Sequence, residues 1–180
     1  MYDEHNGPIS SLSVNYSPEY EFLNGLILTA SYDWTVKLWN PSSNKEPLRT
    51  FEHSEDFIYD IKWNPSNPSL FACVNNEGCV DLFDLTKDLE LPVAHKKVNN
   101  FAQNKMTWNS DGSALVTGDS NGNVNLYGLA EKYRKMDSSK ADHLKNIIAS
   151  DMAGLEQWKL NKNIDLSWYW FILIFFTFYG

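Results

Sequence analysis

LILTASYDWTVKLWNP, residues 26–41, is a short apolar run, a polar turn and a second run in which large and polar residues alternate. Alternation beside a turn marks a β-hairpin, because a strand sends successive side chains to opposite faces. The pattern recurs twice without a gap. LFACVNNEGCVDLFDL starts at Leu70 and ALVTGDSNGNVNLYGL at Ala114, a constant spacing of 44 residues from Leu26. In register, Val36, Val80 and Val124 coincide, as do Leu38, Leu82 and Leu126; an aromatic position holds Trp39, Phe83 and Tyr127. The turns carry Asp33-Trp34, Glu77-Gly78 and Asn121-Gly122, the last being the strongest two-residue hairpin signal.

Working outward, each hairpin has a strand before it: PISSLSV, FIYDIKWNPSNP and NKMTWNSDG. The first is followed by a longer loop, NYSPEYEFLNG, and the runs PLRTFE and ELPVAH after the first two hairpins read as fourth strands. Four short strands in about 44 residues make one propeller blade. The expected fold is all-β, a partial β-propeller of about three four-stranded blades followed by a C-terminal helix. The blades are assigned to residues 3–129, approximately 3–52, 53–97 and 98–129, with a helical extension over 130–163 and an apolar tail over 164–180.

SYDWTVKLW, Ser31 to Trp39, resembles the end of a WD repeat. The resemblance implies a buried hydrogen-bond network in which His5, Thr29, Asp33 and Trp39 take the family's roles. Such a network is physically sound, since Asp orients His and the indole N–H gains a partner. The second and third copies lack the His, Phe83 has no donor and Tyr127 has only a hydroxyl, so apolar packing is expected to hold those blades. Together SYDWTVKLW, PLRTFE, DFIYDIKWNPSNPSLFACVNNEGCVDLFDL and GDSNGNVNLY resemble the C-terminal blades of dynein intermediate chains, the cytoplasmic type nearest and the axonemal type close. The stretch YDIKWNPSNPSLFACV is the most specific part, because ordinary WD repeats do not require it. The resemblance covers roughly Asp3 to Leu129 and implies a scaffold whose propeller docks on the dynein heavy chain and joins other dynein subunits. It implies a cytoplasmic, microtubule-associated complex, or a cilium for the axonemal type. The family's disordered N-terminal arm and earlier blades are not in this stretch, which therefore reads as a fragment.

After Leu129 the pattern becomes helical. Ser138 or Ser139 is expected to cap a helix on which Leu144, Ile147, Ile148, Met152 and Leu155 share a face. That face would pack on the propeller rim or bind the heavy chain. From Trp168 to Tyr179 every residue except Thr177 is apolar or aromatic. A helical span needs roughly 18 residues or more, so this run is too short to cross a bilayer and a membrane partner is not expected. It reads as a non-native C-terminus, with a short membrane or partner-binding tail as the alternative.

Composition excludes further classes. Hydrophobic residues are 43% and charged residues 21%, as in a folded soluble chain. A formal charge of −8 argues against nucleic acid, whose phosphates need a basic surface, and HKKVNN is too small a basic patch. MYDEHNGPIS has no basic or apolar region of a signal peptide. Cys73 and Cys79 read as reduced thiols. His5, His53, His95 and His143 lie in separate segments with no metal-ligand or catalytic spacing, and GDSNGN sits in a hairpin turn rather than before a helix. No enzyme activity, cofactor or metal is therefore expected, and a WD adaptor of another complex or a tail-anchored protein are the alternatives.

One position stands out in the turns. Gly78 and Gly122 suit a tight turn, whereas the aligned residue of the first copy is Trp34. An indole at an exposed hairpin tip asks for a partner, and aromatic clusters anchor interfaces. Trp34, with Tyr32 and Phe57, is the candidate partner-binding surface. The alternative is that Trp34 folds back over the neighbouring blade.

Overall fold

The computed structural model describes residues 4–41 and 46–154. Among the described residues, eleven strands form three antiparallel sheets. The first sheet orders β1 (Ile9–Val14), β2 (Ile27–Ser31), β3 (Val36–Trp39) and β4 (Arg49–Phe51). The second orders β5 (Ile58–Trp63), β6 (Leu70–Asn75), β7 (Cys79–Asp84) and β8 (Ala94–Lys97). The third has β9 (Gln103–Trp108), β10 (Ala114–Asp119) and β11 (Val124–Gly128). The three aligned blocks are the β2–β3, β6–β7 and β10–β11 hairpins. Trp39, Phe83 and Tyr127 pair with Ile27, Phe71 and Leu115, at the same register in each hairpin.

Two expectations need correction. The third sheet has three strands among the described residues, because after Leu129 the chain enters a 3-10 turn at Glu131–Tyr133 and leaves the sheet. The fourth strand of the second sheet begins only near the end of ELPVAH, at Ala94, and runs on to Lys97, with Val93 N–H donating to Leu82 carbonyl just ahead of it. Helix α1 (residues 138–154) then forms. Its cap is Asp137 rather than Ser138 or Ser139: the carboxylate accepts from the Ser139 amide at 3.0 Å and hydroxyl at 2.6 Å. Aspartate caps well because its oxygens satisfy the free amides of the first turn.

Helix α1 returns to the first two sheets. Leu144 and Ile148 are buried in the same core as Leu23, Leu26, Leu48, Trp63 and Leu85, with Met152 packed against it. Arg49 in β4 grips Asp151 with two hydrogen bonds of 2.9 and 2.7 Å. Leu155, the rest of the expected helical extension and the apolar tail lie outside the described residues. Among the described residues no helix is long and apolar enough to cross a membrane.

The innermost strands β1, β5 and β9 have no strand partner on their inner side, so side chains of neighbouring sheets satisfy the leftover backbone groups. Ser10 Oγ donates to Ile58 carbonyl at 2.5 Å, and Trp63 N–H donates to Ser13 Oγ at 3.1 Å. Met106 N–H donates to Asp60 Oδ2 at 3.0 Å, and Trp108 Nε1 donates to Lys62 carbonyl at 3.3 Å. A second tie repeats with the sheets. Asn15 Nδ2 donates to Pro68 carbonyl at 2.7 Å, and Asn64 Nδ2 to Gly112 carbonyl at 2.8 Å. Gly112 is needed there, since a Cβ would lie 2.4 Å from Asn64 Oδ1 and its φ is +67°.

The aligned valines and leucines show what a neighbouring blade does. Val36 and Leu38 are each 1% exposed beneath the second sheet, whereas Val124 and Leu126 at the same register are 76% and 71% exposed. At the other end Leu12, Val14 and Tyr16 are exposed on the first sheet. Apolar edges of this kind drive association. The 180-residue chain alone is expected to self-associate, and Leu12→Lys with Leu126→Lys is expected to shift it toward monomer by sedimentation velocity. A wild-type chain that sediments as a monomer would contradict this.

Candidate functional site

The turn between β2 and β3 is built by local hydrogen bonds. Ser31 N–H donates to Thr35 carbonyl at 3.2 Å, and Asp33 N–H donates to Ser31 Oγ at 3.1 Å. Asp33 then gathers four donors. His5 Nδ1 lies 2.7 Å from Oδ2 and Asn6 N–H 2.9 Å from it; Thr35 hydroxyl and amide reach Oδ1 at 2.7 and 3.0 Å. Burial alone would raise the Asp33 pKa, but the hydrogen bonds from Thr35, His5 and the Asn6 and Thr35 amides outweigh it and lower it from 3.8 to about 2.

Donor and acceptor logic fixes the rest of the chain. The ionised Asp33 only accepts, so His5 Nδ1 carries the proton. Trp39 Nε1 donates to Thr29 Oγ1 at 2.8 Å, and that hydroxyl meets His5 Nε2 at 2.7 Å. With His5 neutral, the Thr29 O–H donates to Nε2 and every group has a partner. The structure thus brings His5, Thr29, Asp33 and Trp39 into one continuous wire.

The other two blades, expected to be held mainly by apolar packing, contain polar networks as well. In the third, Thr117 Oγ1 donates to Gln103 Oε1 at 2.7 Å, Gln103 Nε2 to Asn99 Oδ1 at 3.3 Å and Asn99 Nδ2 to Asp119 Oδ2 at 2.7 Å. In the second, Asn75 Nδ2 donates to Ser54 Oγ at 3.2 Å while its Oδ1 accepts from Cys79 N–H at 2.9 Å. Amide side chains carry both donors and acceptors, so they replace imidazole without its sequence signature. Packing contributes beside them: Phe71 and Phe83 stack with centroids 4.8 Å apart, and Phe51 meets both edge-on.

The candidate surface sits on the first turn. Trp34 has φ +72°, a left-handed conformation, where Gly78 and Gly122 each have φ +84°. Glycine adopts it freely, while a residue with a Cβ is strained by roughly 1 kcal/mol. At Gly78 a Cβ would also lie 2.3 Å from Asn99 carbonyl oxygen. Trp34 is 50% exposed, and Tyr32 and Phe57 are exposed as well. The structure brings Tyr32 and Phe57 together at 5.2 Å between centroids and adds Tyr59, edge-on to Tyr32 at 5.8 Å. Tyr59 was not legible as a member, because alternation in FIYDIKW shows only which face it shares with Phe57. Its hydroxyl donates to Asn76 Oδ1 at 3.0 Å, which holds the ring in place.

Three sheets joined at their inner strands, with a His–Asp–Thr–Trp wire closing the first, define a β-propeller scaffold. Two family models match the sequence: one described as WD domain, G-beta repeat, over residues 1–40, and one described as Eukaryotic translation initiation factor eIF2A, over residues 27–153. The first match is confined to the first blade, whereas the second spans more than half of the chain, which belongs to the family that this second model describes. It is a homologue of the cytoplasmic dynein 1 intermediate chain of Drosophila melanogaster, 38% identical over 132 residues that cover 73% of this chain and 20% of that protein. The chain thus spans about a fifth of the length of the relative it matches.

Proposed function

We propose that this chain is a non-catalytic scaffold segment of a dynein intermediate chain, docking through the Trp34 turn on the dynein heavy chain in a cytoplasmic, microtubule-associated complex. The observation that carries the reading is Trp34 itself. An indole held in a strained turn and half exposed to water lowers both stability and solubility, so an interface that buries it supplies a reason for its presence. Tyr32, two residues before Trp34 in the chain, clusters with Phe57 and Tyr59 and offers further aromatic area. The homologous intermediate chain supports the choice of complex, and the axonemal type remains the alternative setting.

Substituting Trp34→Gly in the intact propeller separates strain from binding. Relief of the positive φ is expected to raise stability by about 1 kcal/mol. Loss of the indole is expected to weaken heavy-chain co-precipitation by about 30-fold, the effect of a central aromatic anchor. Unchanged binding would move the docking surface elsewhere. The description of the second family model favours another reading, a role in translation initiation. A net charge of −8 disfavours direct contact with nucleic acid in such a role. Co-sedimentation with ribosomal subunits, undiminished at raised salt, would support it over the dynein reading.

A further inference from the structure

We propose that His53, Asp81 and His95 form a divalent transition-metal site, Zn2+ first, that staples the exit of the first blade to the outer strands of the second. The three residues come from separate elements. His53 lies between β4 and β5, Asp81 in the middle of β7, and His95 in β8 directly opposite Asp81 in the ladder. His95 Nδ1 stands 2.5 Å from Asp81 Oδ1 and His53 Nε2 stands 3.9 Å from the same oxygen. The three ligand atoms all lie within 4.8 Å of one another. A tetrahedral ion with bonds of about 2.0–2.1 Å holds its ligand atoms about 3.3 Å apart. The two observed distances straddle that value, so side-chain shifts under ~1 Å reach it.

The chemistry of the surroundings agrees. Asp81 is buried at 2% exposure, and the groups that act on its charge are the two imidazoles. A cation would compensate the buried carboxylate and take the place of its contact with His95. Two imidazoles and a carboxylate suit Zn2+, leaving the fourth position for water. The Phe83 ring lies edge-on to His53 at 6.4 Å and helps fix its orientation. Both histidines are partly exposed, and a cleft lined by Arg49, Glu52, His53 and Glu90 opens beside them, so an ion has a route in. Neither local spacing nor a motif revealed the site, because its ligands are spread over residues 53–95 and meet only in the folded sheet.

The test is equilibrium dialysis of the full chain against ZnCl2, with Co2+ as the spectroscopic probe. Wild type is expected to take one ion per chain, with tetrahedral Co2+ bands and no thiolate charge-transfer band. His53→Ala and His95→Ala are each expected to weaken Zn2+ binding at least ~100-fold, since even outer-shell changes cost 10–100-fold. His143→Ala, on the exposed side of α1, is the control and should bind as wild type. Asp81 is left intact because changing a buried acid tests folding rather than binding. Zn2+ should raise the melting temperature of wild type and of His143→Ala alone. Stoichiometric binding that survives in His95→Ala overturns the proposal, and so does no binding to wild type. A thiolate band also overturns it, as it would move the ion to Cys73 and Cys79, which share a sheet face with Asp81.

Discussion

Replacing Asp60 with Ala is expected to lower the stability of the folded chain by about 3–5 kcal/mol in urea unfolding, more than the loss of Asp33. Asp60 is buried at the inner edge of the middle sheet and serves three sheets at once. Its Oδ1 accepts from Ser11 hydroxyl at 2.5 Å and from Ile61 N–H at 3.0 Å, with Lys62 Nζ 3.3 Å away. Its Oδ2 accepts from Met106 N–H at 3.0 Å. Removing the carboxylate leaves two buried amides and a hydroxyl without acceptors and separates strands that have no ladder between them. Asn in its place keeps one acceptor oxygen, so Asp60→Asn should lose about half as much. A loss under about 1 kcal/mol for Asp60→Ala would mean that water replaces the carboxylate and that the sheets are joined by apolar packing instead.

That role explains why YDIKWNPSNPSLFACV stood out as the distinctive stretch. Asp60 ties the inner strands, and Asn64 caps Ser66 and Asn67 amides while reaching Gly112. Ser66 Oγ donates to Asp111 carbonyl and Asn67 Nδ2 to Tyr133 carbonyl. The residues are unusual because they hold the neighbouring blade and the segment that follows it. The period of 44 made the blades legible, since each hairpin repeats a local pattern that alternation alone reveals. The wire of His5, Thr29, Asp33 and Trp39 was legible because a known repeat carries those residue types at those places. Contacts between blades were not legible, as they depend on which loops the ring brings together. The amide networks of Asn75 and Asn99 were missed because Asn in a turn has an adequate local explanation. The destination of α1 was open too: its apolar face was readable, but Leu26 and Leu48 as its partners were not.

Asp33 controls how the first blade responds to acid. Its folded pKa is lowered from 3.8 to about 2, so its contribution to stability is full above the unfolded value and is lost as pH falls through about 2. A shift of this size on a carboxylate only 9% exposed corresponds to about 2 kcal/mol. Asp33→Asn keeps the shape of the side chain and removes the titration. The stability gap between wild type and Asp33→Asn should therefore be about 2 kcal/mol at pH 6 and shrink toward zero near pH 2. Asp33→Ala removes the acceptor as well, stranding the His5 Nδ1 proton and the Asn6 and Thr35 donors, and should cost about 2–4 kcal/mol at neutral pH. Denaturant unfolding at a series of pH values measures both. The wire also predicts a partner effect: once Asp33 no longer anchors His5, the Thr29–Trp39 end should loosen, so Trp39 fluorescence should shift in the same variants. If instead Asp33→Ala leaves the unfolding midpoint unchanged and abolishes heavy-chain binding, Asp33 belongs to the docking surface with Trp34, one residue away, and the wire does not hold the blade.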